Sequence, residues 1–156
     1  KNRNPVPDKW SLKVRSIIMG ILLVSISLLP LTKKRWIERC CDTVQGILFF
    51  FFGVLSSVLL FLMLFTIHNV TKGNINYLII SPLCLISSLL HFASLSKKRK
   101  NKAILINSGV MLALSLIVLA LRLIIPSFTQ DSYAVFIPAI MLYASEVFVS
   151  YKCIER

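Results

Sequence analysis

The uncharged stretch ILFFFFGVLSSVLLFLMLFTI at residues 47–67 decides the fold of this chain. As a helix, its 21 residues would be about 30 Å long, which matches the thickness of the hydrocarbon core of a bilayer. A buried helix of a soluble protein seldom needs so long an apolar run. The stretch therefore predicts a transmembrane helix.

The composition of the whole chain agrees with a membrane protein. Only 15% of its 156 residues are charged, and the mean hydropathy is +0.79, whereas soluble domains usually carry about 25% charged residues. The net charge of +12 would also suit nucleic-acid binding. However, the basic residues alternate with apolar segments, and no nucleic-acid-binding motif occurs. We therefore expect no nucleic-acid partner and assign the basic residues to the ends of membrane helices.

Four further apolar segments accompany the first one and predict an all-α polytopic membrane bundle. Helices are favoured because a backbone in lipid must pair its amide and carbonyl groups internally. A membrane barrel would show short alternating segments, which the sequence lacks. We predict a periplasmic linker at residues 1–11 and a transmembrane domain over 12–156, with spans at about 12–31, 46–68, 77–95, 103–125 and 133–151.

The lysine and arginine residues of the short loops predict the orientation of these spans. Eleven of them fall on one side of the predicted bundle, whereas the short loops of the other side carry only Lys72. The side with the eleven is therefore predicted to be cytoplasmic, together with the C-terminus. The eleven residues are Lys33, Lys34, Arg35, Arg39, Lys97, Lys98, Arg99, Lys100, Lys102, Lys152 and Arg156.

The N-terminal stretch breaks this rule. Five spans place it outside, in the periplasm of a bacterial inner membrane, although it carries five basic residues before Ser16. Long exported domains ignore the rule, so we expect a large exported domain before Lys1, and the absence of an initiating methionine suits a fragment. The alternative is that residues 12–31 are not a span, which leaves four helices and an N-terminus inside.

The four cysteines are not expected to carry chemistry. Cys40 and Cys41 are predicted to lie in the first cytoplasmic loop, Cys84 inside a span and Cys153 at the cytoplasmic end. None of them faces the oxidising side, so disulfides are not expected. Their spacing matches no zinc site, and we expect neither a metal nor a cofactor.

Ionisable residues within the spans are informative because burying them in a bilayer is costly. Arg122 lies near the outer end of the fourth span, where it could reach the headgroups or pair with Asp131. Glu146 lies in the fifth span and is interpreted either as a partner of the basic third loop or as a proton or substrate site. His91 is expected to be an interfacial or hydrogen-bonded helix residue.

The densest group of polar residues begins at the outer end of the second span. His68 is a candidate general base, and Thr71, Asn74 and Asn76 could orient a substrate or the loop. No nucleophile occurs at a fixed spacing from His68. The structural interpretation is also open, because Asn and Gly form turns and Thr71 or Asn76 could cap the next helix.

The same stretch, FTIHNVTKGNINYLIISPL at residues 65–83, resembles the C-terminal membrane region of a Bacteroidetes family. Its members have a large periplasmic domain followed by several spans, and they include the Bacteroides-type lipoprotein N-acyltransferase. The pattern is an apolar span that closes on His68, then Thr71, Asn74 and Asn76, and then a proline–leucine step. The phenylalanine-rich opening at residues 45–53 also fits.

The sequence departs from the family pattern at two positions. Ile67 stands where an acidic or small polar residue is expected, and Cys84 stands where histidine is common. No acidic partner for His68 is therefore assigned.

The resemblance implies a parent enzyme that moves an acyl chain from a phospholipid to the N-terminal cysteine amine of a lipoprotein. It also implies that a cysteine and a histidine of the periplasmic domain perform catalysis, while the membrane part anchors that domain at the headgroup level. The expected partners are the bilayer, the lipoprotein substrate, the phospholipid donor, and an upstream periplasmic domain or other membrane subunits.

Two other functions remain open at this point. The first is a small, non-catalytic membrane subunit of a larger complex, whose serines and glycines serve close helix packing. The second is a small transporter with Arg122 and Glu146 in its pathway, although no inverted repeat supports it.

Overall fold

A computed structural model of the chain describes residues 9–65, 76–96, 99–124 and 133–155. Within these residues the chain is helical throughout, apart from its connections, so the predicted all-α bundle is confirmed. The elements are α1 (Lys9–Leu28), a short 3₁₀ helix (Leu29–Thr32), α2 (Arg35–Phe65), α3 (Asn76–Ser96), α4 (Asn101–Ile124) and α5 (Tyr133–Ile154).

The described helices are long and apolar enough to form a multi-pass membrane domain. Four segments meet the length and hydropathy of a membrane span, namely Val14–Thr32, Arg35–Leu62, Asn101–Leu121 and Ile137–Ile154. The first of these covers most of α1 and the 3₁₀ helix, which argues against the alternative without a first span. In α3 the apolar segment is shorter, Ile80–Ser96, but the whole helix has 21 residues and is about 30 Å long.

The surface and the interior of the bundle have the polarity expected in lipid. Large apolar side chains such as Phe51, Leu89 and Ile106 are mostly exposed, and a bilayer solvates them where water would not. Most of the buried side chains are polar, and many of them are serines. Small polar residues at helix contacts let the backbones approach closely and form hydrogen bonds between helices.

Close approach is clearest between α2 and α3. Ser88 donates a hydrogen bond to the Gly46 carbonyl over 2.8 Å, and Ser57 and Ser81 are hydrogen-bonded to each other. A Cβ atom at Gly53 would lie 2.7 Å from Leu85 Cδ2. The two helices therefore pack along their length as an antiparallel pair, while α1 and α4 both pack on α5.

Helix α2 begins at Arg35, eleven residues before the predicted span at residue 46. The prediction that Cys40 and Cys41 lie in a loop is therefore wrong: both belong to α2, and Cys41 is buried. With 31 residues, α2 is about 46 Å long and exceeds the hydrocarbon core. Its first turns lie at the end of the bundle that also carries the connection from α3 to α4, where Arg35 donates to the Ser94 carbonyl.

Candidate functional site

A group of buried polar side chains meets near one end of the bundle. We call Asp42, His91, Arg99, Ser108 and Glu146 the polar cluster. Asp42 lies seven residues after the start of α2, and His91 lies five residues before the end of α3. Ser108 and Glu146 lie at similar depths in α4 and α5, so the helical members lie about 7–12 Å of helix rise from this end. We call it the basic end, because residues 33–35 and 99–102 also lie there.

His91 occupies the centre of the polar cluster. Its Nδ1 lies 3.0 Å from Asp42 Oδ1, and its Nε2 lies 3.4 Å from Glu146 Oε1. All three side chains are at most 1% exposed. A carboxyl oxygen lies beside each ring nitrogen, and both nitrogens can donate to these acceptors only if each carries a proton. His91 is therefore hydrogen-bonded to Asp42 and lies beside Glu146, where an imidazolium form would be paired with both carboxyl groups.

Arg99 supplies the second positive charge. It lies in the connection between α3 and α4, and its Nε donates to Asp42 Oδ1 over 3.1 Å. Its side chain is only 4% exposed. With imidazolium at His91 and carboxylates at Asp42 and Glu146, two cations would offset two anions and the polar cluster would have no net charge. Such a balance is needed because an uncompensated buried charge is strongly destabilising.

Hydrogen bonds connect the polar cluster to the remaining helices. Ser108 donates to Glu146 Oε2 over 2.6 Å and thereby ties α4 to α5. Asn107, the residue before Ser108, donates to the Leu83 carbonyl over 3.3 Å and to Ser87, which ties α4 to α3. Ser27 and Ser145 form a hydrogen bond between α1 and α5. All five helices are thus held together near the basic end.

Phe49 covers the polar cluster on the side of the bilayer centre. It lies seven residues beyond Asp42 along α2, about 10 Å deeper in the bundle. Its ring stacks on His91, with centroids 5.7 Å apart, and on Tyr143, at 6.0 Å. An aromatic face next to a buried cation is favourable. Phe49 therefore separates the charged groups from the apolar core around Cys84, Met111 and Leu142.

The arrangement suits charge pairing and proton holding better than nucleophilic catalysis. Ser108 donates to Glu146 and not to His91, so these residues do not form the serine–histidine–acid order of a hydrolase. In the part of the chain that the structure describes, no group of histidine, cysteine and acidic residues is arranged to hold a metal. We therefore interpret the polar cluster as a group of ion pairs and hydrogen bonds that holds the helices together.

The site residues predicted from the sequence fall in three different places. His68, Thr71 and Asn74 lie outside the described residues, and Asn76 is the first residue of α3. Glu146 belongs to the polar cluster. Arg122 lies in α4, fourteen residues or about 21 Å of helix rise beyond Ser108. Arg122 and Glu146 thus lie at different depths of the bundle, and a pathway shared by the two stays a prediction.

Sequence reasoning missed Asp42 and Arg99, because both were assigned to loops. A signal was available for Asp42. Buried positions recur on one face of α2 at residues 42, 46, 49, 53 and 56, with the three- and four-residue spacing of a helix. This repeat crosses the predicted boundary at residue 46 without interruption. It could not be recognised from hydropathy because two of its first members are aspartate and glycine.

Residues 11–154 match a protein-family model described as "Lnb transmembrane domain". The chain belongs to this family. No curated protein and no solved structure matches the chain. Because the match runs from α1 to the end of α5, it identifies the whole bundle as the multispan membrane region of an Lnb-type protein. The resemblance noted on residues 65–83 is confirmed at this level.

Proposed function

We propose that this Lnb transmembrane domain is the membrane part of a lipoprotein N-acyltransferase. The observation that carries the proposal is the family match over residues 11–154, together with the His68 motif. The proposed reaction moves an acyl chain from a phospholipid to the free amine of the lipidated N-terminal cysteine of a lipoprotein. An exported domain supplies the nucleophile, and the bundle holds that domain at the outer headgroup level of an inner membrane.

The different charge of the two ends of the bundle supports separate roles for the exported domain and the bundle. The charges of the polar cluster and the basic connections gather at one end, which the positive-inside rule makes cytoplasmic. The His68 stretch follows the opposite end of α2, on the side where a lipoprotein amine and an outer-leaflet phospholipid would meet. In this proposal the polar cluster holds the helices together at the cytoplasmic end, and the outer end presents lipid.

The test is acylation by the complete reading frame that encodes this chain. It is expressed in a bacterium whose own lipoprotein N-acyltransferase is depleted, and the N-terminal peptide of a reporter lipoprotein is weighed by mass spectrometry. We expect the mass of one additional acyl chain, placed on the cysteine amine by fragmentation. A lipoprotein that keeps a free amine, although the protein is present in the membrane, would refute the proposal.

The same assay decides the role of His68. His68→Ala is compared with Asn69→Ala, a neighbouring position outside the motif. If His68 acts on the substrate, we expect His68→Ala to reduce acylation by roughly 100-fold or more, while Asn69→Ala retains it at an equal protein level. Wild-type acylation by His68→Ala would assign His68 a structural role only.

A further inference from the structure

A cavity of about 410 Å³ opens at the basic end of the bundle, away from the proposed acyl-transfer side. It is lined by residues 99–103, where α4 begins, and by residues 153–154 at the end of α5. We propose that this cavity, which we call the basic cavity, binds the phosphate headgroup of an anionic phospholipid in the cytoplasmic leaflet. Basic pockets between membrane helices on the cytoplasmic side are typical binding places for such headgroups.

The charge of the basic cavity is one-sided. Arg99, Lys100 and Lys102 line it, and none of the described residues that line it is acidic. The nearest acid to this part of the chain is Glu155, directly after the end of α5, and its Oε2 lies 2.8 Å from Lys152 Nζ. The hydrogen bond from Lys152 lowers the pKa of Glu155, so this carboxylate stays ionised and paired with a cation of its own. The positive charge of the basic cavity is therefore not neutralised from α5.

Arg99 gives the basic cavity a buried guanidinium group whose hydrogen-bonding capacity is only partly satisfied. Asp42 accepts from Nε, whereas Nη1 and Nη2 have no hydrogen-bond partner among the described residues. The charge of Arg99 is offset by Asp42, so Arg99 offers an anion these two N–H donor groups and not a free charge. The attraction of an anion to the basic cavity would come mainly from the exposed Lys100 and Lys102.

The backbone at the start of α4 adds donors to the same place. The Ile104 amide donates to the Lys100 carbonyl over 2.9 Å, so the amides of residues 101–103 precede the first intrahelical bond. All three residues line the basic cavity, and a helix N-terminus favours an anion. Ser94 accepts the Lys100 amide over 3.1 Å and thereby fixes the connection, so the donors are held in place.

The surroundings favour a lipid over free phosphate. Towards the bilayer centre, α4 exposes Ile106, which is 69% exposed, and α5 exposes Phe148. Tyr151 is also exposed, at the level where aromatic residues meet headgroups. A phospholipid with its phosphate in the basic cavity would lay its acyl chains along this apolar surface, whereas free phosphate would gain nothing from it.

The proposal is tested by binding of phosphatidylglycerol to the purified chain in detergent, followed by native mass spectrometry. The site variant is Lys100→Gln/Lys102→Gln. The matched control, Lys33→Gln/Lys34→Gln, removes the same two charges from the same end of the bundle but outside the basic cavity. We expect the site variant to weaken binding by roughly tenfold or more, since each lysine near a charged lipid contributes measurably, while the control binds like the wild type.

Three results would overturn the proposal. Equal weakening in both variants would indicate general surface charge, and equal binding of phosphatidylethanolamine would remove the preference for an anionic lipid. Displacement of phosphatidylglycerol by an equal concentration of inorganic phosphate would make the basic cavity a phosphate site. Circular dichroism verifies that both variants keep their helices. Because the readout involves no acylation, its outcome is independent of the proposed function.

Discussion

At the scale of single residues, His91 determines the charge balance of the polar cluster. It is the only described histidine, and it stands between two carboxylates that lie 49 and 55 positions away along the chain. The sequence identified Glu146 as an ionisable residue within a span, but its partner depends on how α3 and α5 are rotated about their axes. That rotation is set by packing, so the pair could not be derived from spacing.

A charge-balance cycle tests this role. His91→Gln leaves Asp42 and Glu146 facing Arg99 alone, and one buried negative charge without a partner is expected to cost about 3–5 kcal/mol. His91→Gln/Glu146→Gln restores neutrality, so we expect the double variant to be more stable than His91→Gln. The measurement is the free energy of unfolding in mixed micelles of a mild detergent and dodecyl sulfate. The single variant Glu146→Gln completes the cycle. If the losses of His91→Gln and Glu146→Gln add up to the loss of the double variant, packing and not charge dominates.

At the scale of elements, the contact between α2 and α3 depends on small residues. Hydropathy correctly predicted an apolar helix in both segments, although only α2 meets the length and hydropathy of a membrane span. It could not locate the start of α2, since the buried face there contains Asp42, Gln45 and Gly46. In a membrane helix, polar residues do not mark the exposed face. The repeat of small residues indicates the buried face instead.

Gly53→Ala is therefore expected to separate α2 from α3. The new Cβ atom would lie 2.7 Å from Leu85 Cδ2 and 3.2 Å from the Leu85 backbone nitrogen, so a side-chain rotation alone does not relieve the clash. We expect a loss of about 1–3 kcal/mol in the free energy of unfolding. Gly109→Ala in α4 is the control, because nothing lies within 4 Å of its Cβ; it should be neutral or stabilising by up to about 1 kcal/mol. Equal effects at both glycines would contradict the close approach.

At the scale of the whole molecule, the polar cluster and the basic cavity lie at the same end of the bundle. The sequence predicted the fold class and which loops share a side, since both follow from composition and from counting basic residues. The polar cluster and the basic cavity could not be predicted, because their members come from segments that meet only after the five helices pack. The orientation of the bundle in the membrane stays a prediction. Two native cysteines make it testable.

Cys40 is exposed near the start of α2, and Cys153 is partly exposed near the end of α5, both at the basic end. If this end is cytoplasmic, a membrane-impermeant maleimide should label them in inverted inner-membrane vesicles and leave them unmodified in intact spheroplasts. Cys41 and Cys84 are buried and should react in neither preparation. Lys72→Cys in a Cys40→Ser/Cys153→Ser background provides the opposite control, since the predicted outer loop should be labelled only in spheroplasts. Labelling of Cys40 from the outside would invert the bundle, and the basic cavity would then face the same leaflet as the proposed acyl donor.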